Sequence, residues 1–537
     1  MLLCAVIAGI LSAVPYITQT FSPAYRGLTV IRDKDYANYY SRLERALSGY
    51  SNEADNGITT IGSGIEGMQT AGMESAVAFL FGWTGLPAPS LSVLVTAVLT
   101  PLLFLLFFTL FRAMEFPDRW SLGMTLLLFF VMFHGFTRVM HPGWSFVPAV
   151  AALALFVAFL KKPSFPFLPG AGVFLGVLPY LYFWSWTFVW AAAGSIVLLD
   201  LCALGRKSVV VRHWPKMLGL GLIVVACSLP FILQTVSLMQ SPLYPEVAVR
   251  ASFLYERTPE SWPRTILLLL ITAASLSLFP KYHKEWSYRF AAGTLLGILI
   301  AMHQNVLHNR ILMFSSHFYP HLLIAVTIAG AWVLLHRAPV VQRVIVAGIA
   351  TVLLAAGIYD YSFAHRFFIP QPGDFRYQHL PEPITLLKNN TGATVLTDAD
   401  TGRALTSWDP VGIVYTHHVR FLFISDADMA ERYCVAELFS PASPTPYRAL
   451  YIEYNHVLDS AAMREREKNL VNEACARVRR NPEEYLKKYA VTHILWNQKE
   501  RPQWVVKGKE KQFGFSQQAS GSGWVLWTIS PLPAGEG

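Results

Sequence analysis

For its first two thirds the chain alternates long apolar runs with short polar stretches, and that pattern predicts about eleven membrane-spanning helices. The runs fall near 1–18, 90–112, 120–136, 144–160, 165–182, 184–204, 217–237, 264–280, 289–303, 317–335 and 343–360, each bounded by charge, proline or aromatics. At about 1.5 Å per residue, a run of roughly 20 residues crosses the ~30 Å hydrocarbon layer. Residues 165–204 are long enough for two spans, with Tyr180, Tyr182, Trp184 and Trp186 at the turn between them. Residues 72–86 are apolar but short, which predicts an interfacial or re-entrant helix. The first run has no basic start and no clear small-residue cleavage site, so it is expected as a retained helix.

Around Tyr361 the pattern changes to mixed charge, turn residues and short β-branched runs. Residues 393–397, 412–416, 491–496 and 523–529 read as strands, and 461–480 and 482–489 as helices. The expected fold is therefore mainly α. A transmembrane domain at 1–360, with a first outer loop at 19–89, precedes a small α/β domain at 361–537.

Composition supports the membrane reading. Of 537 residues, 53% are hydrophobic and only 14% charged, against roughly 25% charged in soluble domains. The net charge of +9 does not imply nucleic acid, because Lys and Arg are scattered through short loops and form no basic face. Their distribution sets an orientation instead. With the N-terminus cytoplasmic, the inner loops hold thirteen Lys and Arg and the short outer loops five. The first long loop and the C-terminal domain then both face outward. Cys434 and Cys475 lie in that C-terminal part and are free to pair if it is outside the cytoplasm.

The polar residues gather at the outer ends of the spans. The first loop holds Asp33, Asp35 and Glu44 among tyrosines and arginines. Tyr36, Tyr40, Leu43 and Leu47 share one face of a helix. Asp35 has a structural reading as that helix's N-cap and a chemical reading as a catalytic carboxylate. Arg138 and His141 lie in a short outer loop, where they anchor a helix end or contact an anionic head group. The loop at 238–263 carries Tyr244 and Glu246 and reads as a connector or a lid. His303, His308, Arg310 and His317 cluster where one span ends and the next begins. Their spacing suits phosphate contact better than a metal.

Together these features resemble the GT-C superfamily of membrane glycosyltransferases. Asp35-Tyr36, followed by Arg42, Ala46 and Gly49, looks like the first-loop pattern of its oligosaccharyltransferase branch. Thr137-Arg138-Val-Met-His-Pro-Gly143-Trp144 looks like the next outer motif, with Ser145-Phe-Val147 where that branch carries an acidic pair. Ser407-Trp408-Asp409 resembles its acceptor-binding motif, with Ser407, Pro410 and Val411 as departures. The segment from Asn305 to Pro320 is similar to one in uncharacterised bacterial members.

The resemblance implies transfer of a sugar from a polyprenyl-phosphate carrier to an acceptor glycan, lipid or protein at the outer face of a bacterial inner membrane. It makes Asp35 the general base, or the holder of a divalent cation (Mg or Mn), with Asp33 as its nearest substitute. Arg138, Arg310 and His317 would neutralise the leaving phosphate. His141, Tyr244, Glu246 and His308 complete the expected substrate contacts. The rival expectations are a catalytically silent envelope protein, a lipid-linked glycan transporter, and a true oligosaccharyltransferase.

Overall fold

The structure, a computed structural model, describes residues 1–29, 34–50, 58, 71–141, 143–250, 257–259, 261–309, 315–335, 348, 355, 372–390, 392–441 and 461–529. Asp33, Arg310 and nearly all of the expected span at 343–360 lie outside the described residues.

The chain is mainly helical. In order, the helices used below are α1 (Leu2–Thr20), α2 (Lys34–Leu47), α3 (Gly72–Phe81), α4 (Ala88–Ala113), α5 (Asp118–Thr137), α6 (Gly143–Lys161), α7 (Phe167–Val177), α8 (Phe183–Leu204), α9 (Trp214–Gln240) and α10 (Tyr244–Arg250). They continue with α11 (Trp262–Leu276), α12 (Trp286–Met302), α13 (Gln304–His308), α14 (Tyr319–Leu335), α15 (Pro381–Lys388), α16 (Ala399–Thr406), α17 (Asp426–Ala436), α18 (Ala461–Arg480) and α19 (Pro482–Lys488). Among the described residues, six helices are long and apolar enough to cross a membrane: α1, α4, α5, α6, α8 and α9. Four more expected spans fall on shorter apolar helices, at α7, α11, α12 and α14. The structure thus supports a multi-pass membrane protein with six spans of full length; the expected eleven are not all of that length.

The chain divides into two compact units. The first comprises Met1–Pro15, Val93–Ser237 and Leu254–Ile369, and the second Tyr16–Ser92, Leu238–Phe253 and Pro370–Gly537. The first loop and residues 238–253 therefore group with the C-terminal residues and not with the spans.

In the first unit, close helix packing rests on small residues. Gly293 and Gly297 on α12 lie against α8, where an added Cβ would stand 2.5 Å from Ile196 Cγ1 and 2.5 Å from the Ala192 nitrogen. Gly172 and Gly176 of α7 meet Ile223 and Cys227 of α9 in the same way. Both pairs are Gly-x-x-x-Gly seams, which let backbones approach where lipid supplies no hydrophobic drive between helices. Only 11% of the α9 span is buried, and Leu218, Leu222 and Leu233 stand exposed along it, a surface suited to lipid. A buried ion pair, Arg289 Nε to Asp200 Oδ1 at 3.3 Å, joins the start of α12 to the end of α8.

The second unit is built on a five-stranded sheet of order β2-β1-β3-β5-β4. The strands are β1 (Thr394–Leu396), β2 (Gly412–Ile413), β3 (His493–Asn497), β4 (Phe515–Gly521) and β5 (Trp524–Ile529). β2, β1 and β3 are parallel, and β3–β5 and β5–β4 antiparallel. α16 makes the crossover from β1 to β2, and Asp398 caps it by accepting the backbone N–H groups of Asp400 and Thr401. A Cys434–Cys475 disulfide ties α17 to α18.

Candidate functional site

In the first unit three helix beginnings meet. The third residue of α6, α8 and α14 is Ser145, Ser185 and His321 respectively. The Ser145 and Ser185 hydroxyls lie 3.2 Å apart, and the Ser185 hydroxyl lies 3.1 Å from His321 Nε2. All three side chains are buried, so each needs a polar partner, and the contacts pin the three first turns together. A helix N-terminus offers unsatisfied N–H groups and the positive end of its dipole. Three of them in one place favour an anion.

A stack of rings lies beside these turns. His141 lies parallel to Tyr182, with centroids 4.7 Å apart and planes within 6°. Tyr182 meets Trp184 at 5.0 Å, and Trp184 stacks on His317 at 4.4 Å. The fold thus brings together His141 and His317, expected substrate contacts from distant parts of the chain. The loop that carries Arg138 and His141 is tightly turned. Met140 holds φ at 78°, in the left-handed region that side chains other than glycine rarely adopt. A Cβ at Gly143 would stand 2.5 Å from the Arg138 carbonyl oxygen, so only glycine closes this turn without displacement. Backbone held in a sparsely populated region is a feature that clusters at functional sites.

Tyr182 and Trp184 are the site residues that sequence reasoning missed. They were visible as two of the four aromatics expected at the turn that leads into α8, but nothing in the spacing distinguished ring stacking with histidines from an interfacial belt. Trp144 is different: it is buried, and its indole N–H donates to Thr96 Oγ1 at 2.9 Å.

The other polar turn of this unit is tied into the helices. His303 Nε2 lies 2.7 Å from Thr265 Oγ1, and Asn305 donates to the Thr258 carbonyl at 2.7 Å. His308 ends α13 with its side chain exposed.

In the second unit, α2 begins at Lys34, two residues earlier than the N-cap reading of Asp35 requires. Asp35 is the helix's second residue. Of the expected face, Tyr36, Tyr40 and Leu43 are buried and Leu47 is half-buried. Arg42 pairs with Glu74 of α3 at 3.1 Å, both buried. The Ser407 hydroxyl donates to the Ala37 carbonyl at 3.1 Å, which brings the Ser-Trp-Asp segment against α2.

Two carboxyls in this region are perturbed. Burial pushes Glu44 up to about 7; its bond from the Ala88 N–H at 2.8 Å and the Lys388 charge oppose this, and the Asp409 charge adds to it. Burial likewise pushes Asp409 up to about 6, against the pull of Lys388.

Tyr244 and Glu246 belong to a helix locked onto the C-terminal residues. Arg250 of α10 is fully buried, 2.6 Å from Asp426 Oδ1, and it donates to the Leu422 and Ile424 carbonyls at 2.9 and 2.8 Å. Glu246 accepts the Asp426 backbone N–H at 2.6 Å. Within the described part of the loop at 238–263, α10 is thus packed against the C-terminal residues.

No group of three or more His, Cys, Asp or Glu among the described residues is arranged to hold a metal ion. Ser145, which stands where the resemblance expects an acidic residue, has its hydroxyl engaged with Ser185.

Compared with known proteins, the chain matches no family model and no curated protein.

Proposed function

We propose that the chain is an integral membrane glycosyltransferase. It transfers a sugar from a polyprenyl-phosphate-linked donor to an acceptor at the outer face of a bacterial inner membrane, and inverts the anomeric carbon. The observation that carries this reading is the meeting of the first turns of α6, α8 and α14 beside the His141–Tyr182–Trp184–His317 stack. Three helix dipoles and two imidazoles suit a phosphate, and apolar helices around them suit a lipid carrier. The donor phosphate lies against these N-termini, with His141 and His317 donating to its oxygens as charge builds on the leaving group.

Asp35 is the general base on the acceptor hydroxyl, the role that its first-loop resemblance implies. Attack from the side opposite the phosphate forms the new glycosidic bond as the old C–O bond to phosphate breaks, and the hydroxyl proton passes to the carboxylate.

The placement of ionisable groups supports an interfacial reaction over transport. The Asp200–Arg289 pair lies at the opposite end of α8 from Ser185, about 22 Å along the helix at 1.5 Å per residue. The Cys434–Cys475 disulfide supports an outward-facing C-terminal part, since such bonds persist in oxidising compartments.

The test is turnover of a polyprenyl-phosphate-linked sugar by the full chain in proteoliposomes. Wild type should release polyprenyl phosphate, and Asp35→Asn should lose about 100-fold or more of that rate. Undiminished turnover by Asp35→Asn would remove Asp35 from the mechanism, and no turnover of any such donor by wild type would remove the reading.

A further inference from the structure

The short apolar stretch after the first loop is inverted relative to a water-soluble helix. Its single charged residue, Glu74, faces inward and is fully buried against Arg42. Its large apolar side chains face out: Phe79 is 88% exposed, Leu80 59% and Trp83 83%. No charged residue occurs from Ser75 to Pro87. The polar side chains on this tip bond within it. The Ser75 hydroxyl donates to the Ala71 carbonyl at 2.9 Å, the Trp83 indole N–H to the Leu80 carbonyl at 3.0 Å, and the Thr84 hydroxyl to the Phe81 carbonyl at 2.8 Å.

A surface with bulky apolar groups outside and side-chain polar groups satisfied internally is what a lipid environment demands, because hydrocarbon offers no hydrogen-bond partner. In water the same surface would expose three large hydrophobic side chains side by side. The chain also fixes where the tip can be. Four residues separate Trp83 from Ala88, the start of the membrane-length helix α4, so five residue steps give a reach of at most roughly 18 Å.

We propose that the tip of α3, through Phe79, Leu80 and Trp83, inserts into the bilayer at the boundary between head groups and acyl chains. The insertion is a lipid contact separate from the spans. Through the buried Arg42–Glu74 pair it holds α2 at a fixed height over the membrane surface. The inference rests on α4 being a membrane span and not on the transferase reading.

Leu80→Cys in a chain with Cys4, Cys202 and Cys227 replaced by serine takes a nitroxide label while Cys434–Cys475 stays oxidised. The labelled full chain is reconstituted into phosphatidylethanolamine–phosphatidylglycerol vesicles. Spin-relaxation enhancement is then measured with oxygen, which partitions into lipid, and with a polar nickel chelate, which does not. The label at 80 should show a several-fold higher oxygen-to-nickel ratio than a label at Gln517→Cys, an exposed position of β4. A ratio equal to that control would place the tip in water and overturn the proposal. Low access to both reagents would mean protein covers the tip, and would overturn it equally. Trp83→Cys gives the same readout if the first variant folds poorly.

Discussion

Arg250→Met probes how firmly α10 is held. The guanidinium is fully buried, sits 2.6 Å from Asp426 Oδ1, and donates to the Leu422 and Ile424 carbonyls. Methionine fills much of the volume but takes the guanidinium from the Asp426 carboxylate, itself only about 5% exposed, while the half-exposed Arg466 stays 3.2 Å away. Removing one partner of a buried ion pair costs about 3–5 kcal/mol. At about 1.4 kcal/mol per decade, opening of α17 should rise by roughly two to three and a half decades. Amide hydrogen exchange of residues 426–436, followed by mass spectrometry on the full chain, reads this directly. Arg250→Met with Asp426→Asn should recover part of the protection, because the buried carboxylate that lost its guanidinium is then neutral. If Arg250→Met leaves exchange of α17 within a few-fold of wild type, α10 is not held by this pair and this account of its packing fails.

Three other outcomes follow from particular contacts. Burial raises Glu44 from 4.5 to about 7, so the folded chain holds that proton over a range where the unfolded chain has lost it. The contribution of Glu44 is fully favourable below about 4.5 and is lost as pH rises through about 7, an effect of roughly 3 kcal/mol; Glu44→Gln should flatten the dependence of unfolding on pH between these limits. Gly297→Leu should separate α8 from α12 and lower the apparent melting temperature in detergent, since overpacking costs about 1–3 kcal/mol or more; an unchanged melt would show that the seam yields. Cys434→Ser with Cys475→Ser opens a crosslink of sequence separation 41, worth about 4 kcal/mol by loop entropy, and should make α18 markedly more sensitive to protease.

What the sequence revealed depended on how strongly local pattern constrains structure. Residues 393–397, 412–416 and 523–529 each contain the strand observed there, and 491–496 covers all of β3 but Asn497, because β-branched and aromatic runs bounded by turns leave little alternative. β4 was missed: it reads Phe-Ser-Gln-Gln-Ala-Ser-Gly, an edge strand with mostly exposed side chains, and carries no apolar alternation. Apolar runs marked where helices lie, but length separated six full spans from shorter helices such as α11 and α12.

The candidate site was legible only in parts. His141 and His317 stood out as polar residues at span ends. Their common neighbourhood depends on Tyr182 and Trp184, and on hydroxyls at Ser145 and Ser185 that look like ordinary helix residues in a linear reading. Arg250 looked like one more loop charge, because its burial is set by carbonyls about 170 residues away in the chain.

The central claim is that the meeting helix starts bind a lipid-linked phosphate. The direct measurement is calorimetric binding of a short-chain polyprenyl phosphate to the detergent-solubilised full chain, with inorganic phosphate as the second ligand. Wild type should bind the polyprenyl phosphate more tightly than inorganic phosphate. His317→Ala and His141→Ala should each weaken that binding by roughly 10- to 100-fold, the scale of a hydrogen bond to a charged group. Equal affinity of wild type and both variants for polyprenyl phosphate would contradict the account.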